Sequence, residues 1–577
     1  MPLARTYAIA LNGVDGNVVE VEADIAAGLP AFSLIGLPDA ALGESRKRVT
    51  SAAMNAGCPL TQRKLTVNLS PASLRKQGSA FDLAIAVAAL AAAGDLSAES
   101  AAAAVHLGEL GLDGRVRPVP GILPAVIAAR AAGFARVLVP AANAEEADLV
   151  DGVEVVAVTS LRHAAIHHGS DLEPVDVVPV GAAVVGAPAT DPAPVRAHPE
   201  PDIADVAGNE EAIEALVVAA AGGHHLSMIG PPGAGKTMLA TRLPGLLPDL
   251  TDDQAIEVTC IRSLTDAGIA GRGSPGDPAS SPRGLIRRPP FESPHHTASA
   301  AAIVGGGTTR IVPGAIVRAT HGVLFLDEAA EFPPSVLDSL RQPLESGTIT
   351  IHRATGTATF PARFQLVLAS NPCPCGRYGS PDEECTCTPI ARRRYLARLS
   401  GPLLDRVDIR LAVRRIGLAA LRIRSDPEAS PAPASGMARG SGVRSHPSAE
   451  PPAASGTASA DRFRFDPGAA TPPEAVSASA LLRERVVIAR ATAAARLAGT
   501  DWTRNADVSG AWLRTGALHL PRATVGALDR ALDRGAITMR GYDRTLRLAW
   551  TMADLDGAST PTGHHIGAAL FLRRGAA

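Results

Sequence analysis

Residues Gly230-Pro231-Pro232-Gly233-Ala234-Gly235-Lys236-Thr237 fit the pattern G-x-x-x-x-G-K-[ST] in full. An apolar run precedes them (225–229, HLSMI) and a helical pattern follows (MLATRL). Strand, glycine-rich loop and helix in that order make a phosphate cradle, because backbone N–H groups at a helix N-terminus point at the anion. Lys236 would reach the β- and γ-phosphates, and Thr237 would ligate Mg²⁺. Downstream, VLFL runs into Asp327-Glu328. After a phosphate loop this reads as a second phosphate strand, with Asp327 on Mg²⁺ and Glu328 polarising the attacking water. A third apolar run, QLVLA, ends in Ser370-Asn371. Asn371 either positions the same water or is an ordinary strand-end turn residue. The order of the three motifs favours the first.

Arginines extend the set. Arg406, in GPLLDRVD, lies beyond these strands. It is either a finger serving a neighbouring subunit's nucleotide or an intradomain partner of Asp405 or Asp408. Near the C-terminus Thr538-Met539-Arg540 opens a helical pattern that also carries Arg544 and Arg547. One of the three, with Arg540 chosen, is expected over the γ-phosphate. The others read as helix-surface ion pairs. Four of the six cysteines form Cys373-x-Cys375-x₉-Cys385-x-Cys387. That spacing suits a closed, structural Zn²⁺ site of four thiolates, although C-x-C is less usual than C-x-x-C.

The 577 residues allow three or four domains. Residues 1–170 read as an α+β domain, with strands at 64–69, 105–112, 135–139 and 153–158 and helices at 40–56 and 80–93. Residues 171–201 read as a Pro- and Val-rich linker and 202–412 as an α/β nucleotide-binding unit. The Ser/Pro/Gly-rich stretch 425–475 lacks the apolar residues to order itself, and 476–577 is helical. Net charge is -2 with 46% hydrophobic residues, which excludes a polycationic tail protein and a globally disordered chain. No apolar run reaches the ~18 residues of a spanning helix, the first residues lack a signal-peptide block, and cysteine is scarce. A cytoplasmic protein without a membrane partner is expected. Only Lys47, Lys64, Lys76 and Lys236 are lysines among 55 basic residues. In so Arg-rich a chain, a retained lysine flags a site needing a compact ammonium.

The segments GPPGAGKT, PHHTASAAAIVGGG, HGVLFLDEAAEF, ASNPCPCG, SGPLLDRVDI and MRGYDRTLRLAWTMADL together resemble the YifB/ComM family of magnesium-chelatase-like AAA+ ATPases. The resemblance covers nearly the whole chain; the 425–475 insertion departs from it. It implies a multidomain α/β protein: an amino-terminal domain with the Lon-protease fold, a AAA+ P-loop core and a carboxy-terminal helical lid. It implies ATP and Mg²⁺ as cofactors, a homo-hexameric ring, and ATP-driven branch migration of DNA during integration of incoming strands in natural transformation.

The Lon resemblance can be tested on residues. Lon proteolysis needs a serine activated by a lysine. The matching positions are Ala80, with Ser79 adjacent, and Leu123, and no lysine lies between Lys76 and Lys236. A protease fold without protease chemistry is expected. Residues 348–360 alternate along two arms, a hairpin signature. Related helicases place a DNA-contacting pore hairpin here, which makes His352 and Arg353 the DNA-facing residues; a plain solvated hairpin is the competing reading. His295-His296 is expected in a second pore loop or a subunit contact. A basic hairpin with few aromatics (3% of the chain) favours tracking a single-stranded or branched DNA backbone. A magnesium-chelatase-like motor or general protein remodeller is the alternative.

Overall fold

Alternation and continuous apolar runs build two different sheets. The computed structural model describes all residues except 1–2, 37–42, 61–62, 75, 77, 181–199, 266–283, 308–310, 354–355, 380–383, 416–476 and 575–577. The expected insertion at 425–475 and most of the expected linker at 171–201 lie outside the described residues.

β1 (Leu3–Asn12) and β2 (Asp15–Ala26) form a long antiparallel hairpin. It is absent from the sequence expectations, yet β2 carries the half-buried signature: Val19, Val21, Ala23 and Ile25 are buried between exposed or partly exposed neighbours. β3 (Ala31–Ile35), β4 (Lys64–Ser70), β5 (Val105–His106), β8 (Arg136–Pro140) and β9 (Glu154–Val158) complete a seven-stranded sheet in the order β3-β4-β2-β1-β5-β8-β9. The helix Asp82–Ala93 is almost wholly buried and ends at Gly94 in the left-handed conformation. The single strand expected at 105–112 is two pieces, β5 and β6 (Glu109–Leu110), the latter paired with β7 (Val116–Arg117). At Gly108 the chain turns aside: its N–H donates to Ala80 and its carbonyl accepts from Leu83.

The second sheet is parallel throughout. β10 (Leu226–Ile229), β11 (Phe291–Glu292), β14 (Val323–Leu326), β17 (Gln365–Ser370) and β18 (Ile409–Ala412) lie in the order β11-β14-β17-β10-β18. β14 and β17 are buried at every position, as expected of strands covered on both faces. Two ribbons stand apart: β12 (Gly305–Gly306) with β13 (Val312–Pro313), and β15 (Thr348–Arg353) with β16 (Gly356–Pro361). Between β14 and β15 the helical stretch is broken at Leu340 into Pro334–Ser339 and Arg341–Ser346. Pro343 supplies no N–H, and its ring crowds the carbonyl four residues back.

Helices Ala478–Arg496, Gly510–Thr515, Arg522–Asp533, Met539–Leu555 and Gly563–Arg574 share one hydrophobic core with the helix Glu210–Gly222 and with β10 and β18. Asp408 pins them. Its buried carboxylate accepts from the backbone N–H of His225 at 3.0 Å and pairs with Arg544. Burial alone would raise the Asp408 carboxyl; Arg544 and the neighbouring histidines outweigh it and hold the group well below the usual carboxylate range. The amino-terminal domain docks through Gly121, at the start of the helix Ile122–Ala131, whose N–H donates to Ser263 O at 2.9 Å. It also docks through Gly13, where a Cβ would lie 2.9 Å from Thr359 O of β16.

A chain of polar groups crosses the first domain: buried Thr6, His106 and His168, ending on the half-buried Ser100, linked at 2.8 Å at each step. Burial, then His168, pushes His106 well below its ordinary value. Burial, then His167 and Arg136, pushes His168 down to about 4. Below about 6.5 the unfolded chain binds protons that the folded one refuses. The stability from this pair is therefore present above pH 6.5 and is lost as pH falls toward 4. Urea unfolding at pH 7.5, 6 and 5 should show this loss, and the slope should flatten in His168→Gln. An unchanged slope in that variant refutes the assignment.

Candidate functional site

The parallel sheet gathers the motif residues at one edge. β10, β14 and β17 are neighbours or next neighbours, and each hands its motif to the same carboxyl-terminal end. Gly233 and Gly235 have φ of +76° and +88°, which glycine adopts without a Cβ penalty. A Cβ on Gly230 would lie 2.2 Å from Val413 O, so the loop can leave the sheet only through glycine. Lys236 opens the helix Lys236–Leu246. Its ammonium donates to Gly230 O at 2.6 Å, Pro231 O at 3.0 Å and Asn371 Oδ1 at 3.2 Å. Burial lowers its pKa, while Asp327 and Glu328 act in the opposite sense.

Thr237 Oγ1 donates to Asp327 Oδ2 at 2.7 Å. A hydroxyl and a carboxylate brought together beside an ammonium fit a hydrated Mg²⁺ on a polyphosphate, so Thr237 and Asp327 are the residues that would hold it. Glu328 follows directly. Its backbone is left-handed, at φ 50°, and its N–H donates to Asp327 Oδ1 at 2.9 Å. Left-handed non-glycine residues are uncommon and cluster at functional sites. Its carboxylate pairs with His296 Nδ1 at 3.1 Å. Sequence reasoning missed this contact, which joins segments far apart in the chain.

The arginines sort differently from expectation. Arg406 pairs with Glu345 and donates to Pro402 O at 2.6 Å. The partners weighed for it, Asp405 and Asp408, are not the ones it takes. Arg544 is held on Asp408 and Arg547 donates to Val508 O at 2.8 Å. Neither is the helix-surface ion pair expected, and Arg544 meets the sheet at the end opposite the phosphate loop. Arg540 is exposed in the first turn of its helix. In the hairpin β15–β16, His352 Nδ1 lies 3.1 Å from Thr357 Oγ1 and Arg353 donates to Gly305 O at 3.1 Å. Both remain exposed.

The four cysteines converge: all four sulfurs lie within 4.8 Å of one another. Sγ–Sγ distances are 3.3 Å for Cys373–Cys375, 3.7 Å for Cys373–Cys385 and 3.6 Å for Cys375–Cys385. A tetrahedral ion with metal–sulfur bonds of about 2.3 Å has edges of about 3.8 Å, so the set fits Zn²⁺. The loop between them touches the phosphate loop, since a Cβ on Gly376 would lie 2.7 Å from the Pro232 ring.

In the first domain Ser79 Oγ donates to the Glu109 carboxylate. Leu123 is buried in the first turn of the helix Ile122–Ala131. Lys76 directs its ammonium to the carbonyls of Gly36 and Leu69, each at 3.0 Å, and of Pro71. With its donors so engaged, it is not a free base for Ser79.

Sequence profiles of magnesium chelatase match in three places: subunit ChlI of Mg-chelatase at 21–143, magnesium chelatase subunit ChlI at 202–421, and the ChlI C-terminal region at 476–573. Competence protein ComM of Haemophilus influenzae is 42% identical over 72% of this chain and 77% of its own. YifB of Escherichia coli is 41% identical over 72% of this chain and 76% of its own. The chain belongs to the YifB/ComM family. An uncharacterised protein of Mycobacterium tuberculosis matches along the full length, 42% identical over 100% of this chain and 99% of its own. The core is thus that of a YifB/ComM-type AAA+ ATPase. Among the described residues no helix is long and apolar enough to cross a membrane.

Binding and hydrolysis should separate by mutation. Lys236→Ala removes the ammonium that would meet the phosphates and should abolish binding of a fluorescent ATP analogue. Glu328→Gln should bind that analogue as the wild type does, while turnover falls by about 10²- to 10⁴-fold, the usual contribution of a positioned base. Equal turnover in the two proteins refutes the role of Glu328.

Proposed function

We propose that the protein is an ATP-driven motor that moves along DNA, acting as a ring of identical subunits on single-stranded or branched substrates in recombination of incoming strands. The observation that carries this is the basic hairpin: β15–β16 exposes His352 and Arg353 on a AAA+ core whose relative in H. influenzae is named a competence protein. An exposed guanidinium without an aromatic partner suits phosphate contact rather than the gripping of a peptide. In this reading Lys236, Thr237 and Asp327 bind Mg–ATP, Glu328 polarises water and Asn371 helps to place it. Arg540 meets a nucleotide from the lid. Arg406, released from Glu345, reaches the neighbouring subunit's γ-phosphate. The first domain serves assembly or partner binding and has no proteolytic role.

ATPase assays test the motor directly. Specific activity should rise steeply with protein concentration if Arg406 acts across subunits, and Arg406→Ala should assemble yet turn over poorly. Branched or single-stranded DNA should stimulate the wild type. Arg353→Ala should keep basal turnover, lose stimulation and bind DNA with a shallower salt dependence. An assembled, hydrolysing ring that neither binds nor responds to any DNA, but is stimulated by casein, overturns the DNA reading in favour of protein remodelling.

The same reading gives the cysteine cluster a resident Zn²⁺. Four thiolates close the coordination sphere, so the ion would brace the loop between Asn371 and Arg406 and perform no chemistry. Protein purified without chelator should contain about one zinc per chain, and Cys373→Ser with Cys387→Ser should lose it and lower the thermal midpoint. Metal-free protein of unchanged midpoint refutes the site.

A further inference from the structure

Tryptophan is rare in this chain, three residues of 577, and two of the three meet at the surface of the carboxy-terminal bundle. Trp502 and Trp512 lie side by side, with ring centroids 5.0 Å apart and ring planes tilted by 46°. Each packs in part against the bundle core and stays half-buried. With Asp501 they line an open depression of about 460 Å³, a volume in the range of small-ligand sites. The local chain keeps it open. A Cβ on Gly516 would lie 1.8 Å from Trp512 Cδ1, so the indole can lie across that turn only because the residue is glycine.

The polar groups of the rim decide what enters. Thr500 Oγ1 donates to Leu497 O at 2.7 Å, Thr515 Oγ1 donates to Ala511 O at 2.9 Å, and Ser509 Oγ accepts from the Trp512 N–H at 3.3 Å. All three hydroxyls thus serve their own backbone. Asp501 is exposed, and among the described residues no hydrogen bond or ion pair engages its carboxylate. No basic side chain lines the depression, so a phosphate backbone would meet negative charge with nothing to offset it. A flat cation meets the opposite: indole faces attract it, and a carboxylate accepts from its N–H groups. The interior of the same bundle holds the completed form of this arrangement. The Arg496 guanidinium lies over the Trp550 ring, 4.5 Å from its centroid, and forks onto both oxygens of Asp554, one of them at 2.7 Å. At the surface the indoles and the carboxylate are present and the guanidinium is missing.

We propose that Trp502, Trp512 and Asp501 form a binding site for an arginine side chain carried by an extended segment of a partner protein. The guanidinium stacks on the indoles and donates to Asp501, while its aliphatic stem covers the remaining apolar surface. The rim leaves room for the main chain of the segment: a Cβ on Gly499 would meet nothing within 4 Å, and Ala511 is exposed. The site shares no residue with the nucleotide edge or the basic hairpin, so it stands whether or not the motor moves on DNA.

Tryptophan emission of the full-length protein reads the site, since two of its three tryptophans line it. The probe is a capped peptide with one arginine between glycine and serine residues, titrated to millimolar concentration. It should change the emission saturably. The same peptide with citrulline, which keeps the shape and loses the charge, should bind about ten-fold more weakly, and the lysine peptide should fall between the two. Trp512→Leu should weaken the arginine peptide by about five- to thirty-fold, the scale of a lost cation–π contact, and Asp501→Asn should bring its affinity close to that of the citrulline peptide. Basal ATPase should be unchanged in both variants. If Trp512→Leu does not fold, Asp501→Asn, altered only at an exposed carboxylate, carries the test. Equal affinity for the arginine and citrulline peptides, or no saturable binding of either, overturns the proposal. An emission change produced by oligothymidine and not by peptide, and lost in Trp512→Leu, overturns it in favour of a base-stacking platform. Loss of assembly by Asp501→Asn in gel filtration, without peptide binding by the wild type, overturns it in favour of a contact between copies of this chain.

Discussion

A primary ammonium has three N–H donors, and burying it is tolerable only when all three find acceptors. Lys236 meets this condition with two carbonyls of its own loop and the side-chain oxygen of Asn371. The phosphate loop, the end of β17 and the start of the helix Lys236–Leu246 are drawn together by this one group before any phosphate arrives. A planar guanidinium could not point three donors into so small a cage. Lys76, buried in the first domain, solves the same problem with three carbonyls. Two of the four lysines in an arginine-rich chain are therefore placed where the geometry of an ammonium is needed, one in the glycine-rich loop and one in the amino-terminal domain.

The sheet has two working ends. At the carboxyl-terminal edge the loops after β10, β14 and β17 hold Lys236, Asp327, Glu328 and Asn371. At the other, Asp408 fastens the helical bundle through Arg544. A buried carboxylate left without its guanidinium would be strongly destabilising, so the helical bundle is tied firmly to the strand that follows Arg406. The bundle's own interior repeats the theme: Arg496 and Asn505 both meet the buried carboxylate of Asp554. Any motion of the bundle should therefore carry β18 and the Arg406 turn with it.

Contacts at the nucleotide edge are graded by burial. Lys236 is buried among its acceptors, and the cysteine loop packs against the same region from the side through Gly376 against Pro232. The His296–Glu328 contact is half open to water. Binding groups are thus held in place ahead of substrate, while the carboxylate that would act on water is held by the weakest link. The left-handed backbone at Glu328 adds strain at the same residue, which the surrounding strands must support.

The sequence alone was enough for the phosphate loop, the Asp327-Glu328 strand end, Asn371 and the cysteine cluster, because each is a short motif whose chemistry depends on local spacing. It was enough for the long carboxy-terminal helices, where periodicity persists over many residues. The helix break at Leu340 is legible only through Pro343, and the hairpin β1–β2 only through an alternation that small residues such as Ala8 and Ala23 make faint. Partners chosen across long sequence separations were not legible. Arg406 takes Glu345 and leaves Asp408 to Arg544, although Asp408 is two residues away in the chain. His296 reaches Glu328 only because β11 and β14 are neighbours. Spacing along a chain fixes which groups can share a turn of helix or a loop. Which charge meets which across strands depends on sheet order and burial, and only the tertiary structure decides those.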